Sequence, residues 1–102
     1  MSKFENLFKP LRIGKVEVRN RMTMPPMVIA YAGPNGEVAD QLISYYEARA
    51  RGGVGLVIVE AAYVNPQGKL VLGEVGIYDD QIIPGLSRLA DAIKRHGATA
   101  AI

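Results

Sequence analysis

Gly55-Leu56-Val57-Ile58-Val59-Glu60 is the stretch on which the fold turns. It is apolar without alternation. That pattern predicts a strand buried on both faces, the mark of a parallel strand covered by helices. Ile58 is then expected between sheet and helix. Just before it, Gly52-Gly53 punctuates the chain. Further upstream, Leu42, Ile43, Tyr46 and Ala50 fall on one helical face behind Asp40, a candidate N-cap. Arg49 and Arg51 lie near the negative end of that helix's dipole. Downstream, Ala62 to Tyr78 shows no periodicity and contains Pro66, Gly68, Gly73 and Gly76. A second helix opens at Asp79-Asp80. Its Ile82, Leu86, Leu89 and Ile93, spaced 4, 3 and 4 apart, form a core-facing stripe. Pro84 is tolerated only near the first turn. Lys94, Arg95 and His96 occupy the last turn, and Gly97 is a C′ residue. Ala98 to Ile102 begins a further strand.

Nearer the start, Leu11-Arg12-Ile13 and Val16-Glu17-Val18 alternate around Gly14-Lys15. This predicts a β-hairpin over 11–18 with Leu11, Ile13, Val16 and Val18 on one face. Arg21 to Met24 reads as a strand that stops at Pro25-Pro26. Proline has no N–H for the ladder, and Pro26 drives Pro25 out of the helical region. A loop follows through Gly33-Pro34-Asn35-Gly36. The order is hairpin, then β-α-β-α-β, which means an α/β fold with a parallel sheet and crossover helices. Periodicity leaves open a doubly wound sheet or a TIM (β/α)8 barrel. The last apolar strand has no helix to cover it, so residues 1–102 are expected to be an incomplete, N-terminal part of one larger domain.

Composition narrows the function. Twelve Lys+Arg against ten Asp+Glu give a net charge of +2, too balanced for nucleic-acid binding by charge alone. With no cysteine, disulfides, thiolate metal sites and cysteine nucleophiles are absent from this chain. No apolar run is long enough to span a bilayer, and Met1-Ser2-Lys3-Phe4-Glu5 has no signal core. A cytoplasmic protein without a membrane partner is expected. His96, at a helix end, is expected to serve the dipole and solvent rather than a metal. Glu60 ends an apolar strand and needs a partner. A structural ion pair, with an arginine such as Arg21 or one outside this chain, is expected ahead of a role as general base. Gly52-Gly53-Val54-Gly55 precedes its strand, whereas a phosphate-binding loop follows one, so it is not read as a dinucleotide site.

Asn20-Arg21-Met22-Thr23-Met24-Pro25-Pro26-Met27 resembles the Old Yellow Enzyme family of NADH:flavin oxidoreductases. So do Ala48-Arg49-Ala50-Arg51-Gly52-Gly53-Val54-Gly55-Leu56-Val57-Ile58-Val59-Glu60-Ala61, then Val64-Asn65-Pro66-Gln67-Gly68 and Gly76-Ile77-Tyr78. The opening Leu7-Phe8-Lys9-Pro10-Leu11-Arg12-Ile13-Gly14 fits too. The blocks run in order along nearly the whole chain. Pro25-Pro26-Met27 is most similar to the branch of the 2,4-dienoyl-CoA and enoate reductases.

The resemblance implies a TIM barrel of about 250 residues or more, with the active site at the carboxyl ends of its strands. The hairpin would plug the amino-terminal end. Arg21–Met24 would be barrel strand one, Gly55–Glu60 strand two and Ala98–Ile102 the start of strand three. It implies FMN across the barrel mouth, reduced by NADH or NADPH, and a small-molecule alkene of enone or enoyl type as hydride acceptor. Pro26, Met27, Val28 and Ala61 would lie beside the ring, with the Val28 N–H toward its edge and Ala61 small enough to avoid a clash. Some relatives carry Thr or Cys at the position of Val28. Valine cannot donate a side-chain hydrogen bond there. Tyr31 is the substrate-contact candidate. No catalytic residue is assigned, because the family's substrate-anchoring histidines and proton-donor tyrosine would lie beyond Ile102. An iron–sulfur cluster and FAD are implied only for parent regions outside this chain. A homo-oligomer, or association with the rest of the barrel, is expected. Two readings stay open: a non-catalytic, self-associating half-barrel fragment, and a different flavin-dependent TIM-barrel enzyme.

Overall fold

The structure is a computed structural model that describes residues 3–102. Of the opening segment, Met1 and Ser2 lie outside the described residues. A short 3-10 turn, Glu5–Phe8, leads into β1 (Leu11–Ile13) and β2 (Val16–Val18). These pair antiparallel in the expected register, Leu11 opposite Val18 and Ile13 opposite Val16. Gly14, at φ +60, begins the turn. Val18 is buried, but Leu11, Ile13 and Val16 are exposed, so most of the hairpin's apolar face is uncovered.

The central sheet holds β3 (Thr23–Met24), β4 (Leu56–Ile58) and β7 (Thr99–Ala101), all parallel, with β4 in the middle. Helix α1 (Asp40–Arg51) connects β3 to β4, and α2 (Ile83–Lys94) precedes β7. Paired residues of neighbouring strands project to the same side. Met24, Val57 and Ala100 therefore form one row, and with Val59 and Ala98 they pack against Leu42, Tyr46, Ala50, Leu89 and Ile93 of the helices. Only this face is covered among the described residues. Leu56 and Ile58, on the other, are half-buried. The expectation that Ile58 lies between sheet and helix is corrected here: it lies on the side away from the helices, at the recess. The uninterrupted apolar run reflects two different environments, a helix-packed side and a side toward the recess.

Two further differences concern local structure. Ala39, in extended conformation, precedes α1, and Asp40 is its first helical residue without a side-chain cap bond. Its carboxylate still lies in the first turn, where the dipole favours it. The stretch 62–78 is ordered by contacts distant in sequence: β5 (Ala62–Tyr63) pairs parallel with β6 (Val75–Gly76), around a 3-10 turn at Pro66–Gly68 capped by Asn65 Oδ1. Two-residue strands leave no periodicity to read. Asp79 caps a 3-10 turn (Asp80–Ile82) that runs into α2, with Pro84 in the first turn as expected. Among the described residues no helix is long and apolar enough to cross a membrane.

The helix ends are tied together from an unexpected quarter. Arg19, on the chain leaving β2, donates to the carbonyls of His96, Ala50 (2.9 Å) and Val54 (3.0 Å). Asn20 adds a second tie: its Nδ2 donates to the Gly53 carbonyl at 2.7 Å and its Oδ1 accepts from the Met22 N–H at 3.1 Å. A Cβ on Gly55 would lie 2.6 Å from the Asn20 carbonyl oxygen, so only glycine lets strand β4 pass this close. His96 is not left to solvent. Its Nε2 lies 3.2 Å from Glu47 Oε2, which also meets Arg95 at 3.4 Å, joining α2 to α1.

Candidate active site at the strand ends

Each parallel strand ends at the same rim. Beyond β3 come Pro25 and Pro26, which lack the N–H needed to continue a ladder. Beyond β4 come Val59, Glu60 and Ala61, and beyond β7 comes Ile102. Between them lies a recess of about 340 Å3, lined by Pro26, Val28, Ile58, Ala61, Ile77 and Ile102 among others. Three of the residues singled out from sequence, Pro26, Val28 and Ala61, are thus brought together. Met27 is 48% exposed and does not line the recess. Tyr31 does not line it either: its ring stands edge-on to Tyr45 at 6.0 Å. Ile58, Ile77 and Ile102 were not singled out. Their approach depends on strand ends meeting, for which a local pattern carries no signal.

The Glu60 carboxylate is 1% exposed beside this recess. The expected ion pair with Arg21 is corrected: Arg21 is exposed, and among the described residues no cation pairs with Glu60. Instead the Ile29 N–H donates to Oε2 at 2.8 Å and the Tyr46 hydroxyl donates to Oε1 at 3.2 Å. The same hydroxyl oxygen accepts from the Glu60 N–H at 3.0 Å. Tyr46, on the apolar face of α1, packs with 0% exposure and also holds the carboxylate. Burial raises the Tyr46 pKa well above the usual phenol value, opposed in part by the Glu60 N–H and reinforced by the Glu60 charge. The hydroxyl therefore keeps its proton and can donate.

That shift has a consequence for stability. An unfolded tyrosine ionises near pH 10, whereas folded Tyr46 ionises higher. Its contribution is complete below about pH 10 and is lost as pH rises beyond that. The urea midpoint is expected to fall between about pH 9 and pH 11, and Tyr46→Phe should flatten that fall. An equal decline in the variant would remove Tyr46 as its source.

The loop after the strand is held on both sides of a strained residue. Ala30 sits at φ +60, where a non-glycine residue loses roughly 1–2 kcal/mol. Ile29, before it, is tied to Glu60, and the Ala32 N–H, after it, donates to the Gly73 carbonyl at 2.9 Å. A Cβ on Gly73 would fall 2.4 Å from the Ala30 oxygen, so this approach needs glycine.

Residues 6–102 match the NADH:flavin oxidoreductase / NADH oxidase family. The chain is 48% identical over 99 residues to an NADH oxidase of Thermoanaerobacter brockii, covering 96% of this chain and 15% of that protein. It is 41% identical over 97 residues to an NADPH dehydrogenase of Halalkalibacterium halodurans, covering 94% of this chain and 29% of that one. A 2-naphthoyl-CoA reductase structure superposes with a TM-score of 0.92 at 40% identity, over 94% of this chain and 15% of its own. An Old Yellow Enzyme from Pichia sp. superposes with a TM-score of 0.86 at 32% identity, over 93% and 25%. The chain thus spans between about one seventh and three tenths of these relatives. Its three-stranded parallel sheet is part of a barrel. With the barrel geometry and the matched residues in agreement, the chain belongs to the NADH:flavin oxidoreductase / NADH oxidase family, as a segment of the Old Yellow Enzyme type.

Proposed function

We propose that this segment forms one side of the flavin site of an FMN-dependent reductase that moves hydride from NADH or NADPH to an electron-poor C=C bond. The observation that carries the reading is the apolar recess at the carboxyl ends of parallel strands, framed by Pro26, Val28 and Ala61. A flat aromatic ring with a polar edge fits this lining. Ala61 presents only a methyl group. Among the described residues no hydrogen bond engages the Val28 N–H, which leaves a donor for the ring edge.

When bound, FMN supplies the hydride chemistry itself. Pro26 directs the chain away from the sheet, so that the following backbone faces the recess. Val28 has no side-chain donor, and polarisation of the ring edge on this side falls to its N–H. Ile58, Ile77 and Ile102 exclude water from the apolar side. Met27, flexible and exposed beside the rim, is placed to fold over a bound ring. Tyr31, next to Tyr45, is offered as an outer substrate contact. The uncovered sheet face is completed by the remaining barrel strands, and residues 1–102 alone are not expected to turn over.

The decisive test is spectroscopic. The full-length protein that contains this segment should retain FMN when purified, lose the flavin's visible absorption on anaerobic addition of NADH or NADPH, and recover it on addition of a cyclic enone or an enoyl thioester. Bleaching without recovery by either alkene would overturn the acceptor class, and absence of bound FMN would overturn the flavin site. Ala61→Phe places a ring in the recess and should reduce FMN occupancy at least about tenfold, a loss of about 1.4 kcal/mol of binding. The ratio of flavin to protein absorbance reports it, and unchanged occupancy would remove Ala61 from the site.

A further inference from the structure

We propose that Glu60 and Tyr46 form a positioning clamp that fixes the backbone leaving strand β3 at the recess, and so sets the affinity and reduction potential of the flavin held there. The proposal rests on the flavin reading above and adds to it two residues that do not depend on ring contact.

A backbone N–H can only donate, so the Tyr46 oxygen accepts from Glu60 N–H, and the hydroxyl donates to Glu60 Oε1. Ile29 N–H donates to Oε2. Both carboxylate oxygens are thus engaged, one by a side chain and one by the backbone. The carboxylate lies buried beside the recess.

The clamp acts on a short lever. Ile29 adjoins Val28, which lines the recess, and precedes Ala30 in its strained conformation. Strain of this kind persists only where neighbours over-determine the backbone. Releasing Ile29 frees Ala30 to relax and carries the Val28 N–H with it. The negative charge acts separately. It disfavours the extra negative charge of reduced flavin, so it holds the potential down.

The test compares Glu60→Gln and Tyr46→Phe with the wild-type flavoprotein, by FMN titration, midpoint potential and thermal melting. Glu60→Gln keeps the reach to Ile29 but removes the charge, and its potential should move positive. Tyr46→Phe keeps the charge but frees one side of it, and FMN should dissociate at least tenfold more readily with a smaller change in potential. Wild-type affinity and potential in both variants would overturn the clamp, as would lowered melting temperatures with both quantities unchanged, since that marks a purely structural role. Should Glu60→Gln fail to fold, Tyr46→Phe decides alone. A wild-type protein that holds no FMN sinks the flavin reading and the clamp with it, an outcome visible before any variant is compared.

Discussion

Val57→Asp is expected to leave no soluble folded protein. Val57 has no exposed surface and sits in the central strand between Met24 and Ala100, with Leu42, Tyr46 and Ile93 in the same core. A carboxylate there has no water and no cation. The penalty for one buried unpaired charge is several kcal/mol, against a total stability of about 5–15 kcal/mol for an ordinary domain. Val57→Ala, which only removes packing, should cost about 2 kcal/mol. Ile58→Asp, one residue on, places its charge on the recess side rather than in the helix-packed core, so it should disturb flavin binding more than helix packing. Soluble yield and circular dichroism separate the three. Wild-type yield and helicity in Val57→Asp would contradict the strand register.

Arg19→Ala is expected to lower stability by about 3 kcal/mol, because its charge-assisted hydrogen bonds are each worth about 1.5–3 kcal/mol and part of that is lost to solvent screening. The negative ends of α1 and α2 meet at this one guanidinium. Its planar fork reaches three carbonyls, which a single ammonium cannot span, so Arg19→Lys should restore only part of the loss. Among the described residues the guanidinium Nε is buried without a partner, which trims the net gain. Urea denaturation measures the difference. A loss below about 1 kcal/mol would mean that the carbonyls find other partners when Arg19 is removed.

Both variants mark how far local pattern reaches. The two helices, the hairpin register and the order of parallel strands were legible, because burial imprints a period on the residues that share a face. The glycine-rich approach to β4 was legible as punctuation, though not its reason, which is the Asn20 backbone lying against Gly55. The partners of Arg19 were not legible. Its carbonyl acceptors belong to Ala50, Val54 and His96, and backbone carbonyls look alike in every sequence. The candidate site divides in the same way. Pro26, Val28 and Ala61 are implied by the family resemblance rather than by local pattern, and the structure gathers them, though not Met27. Glu60 stood out only as a charge in need of a partner.

From the amino acids alone come the alternation of strand and helix and the parallel sense of the sheet, since each follows from short-range spacing and from which residues can be buried. Only the folded chain decides that Ile58 lies on the side away from the helices, that Glu60 is held by a tyrosine and a backbone amide rather than by Arg21, and that 62–78 forms a paired strand. Those outcomes depend on distances between residues far apart in the chain, and the geometry of hydrogen bonds chooses among partners that composition leaves equivalent.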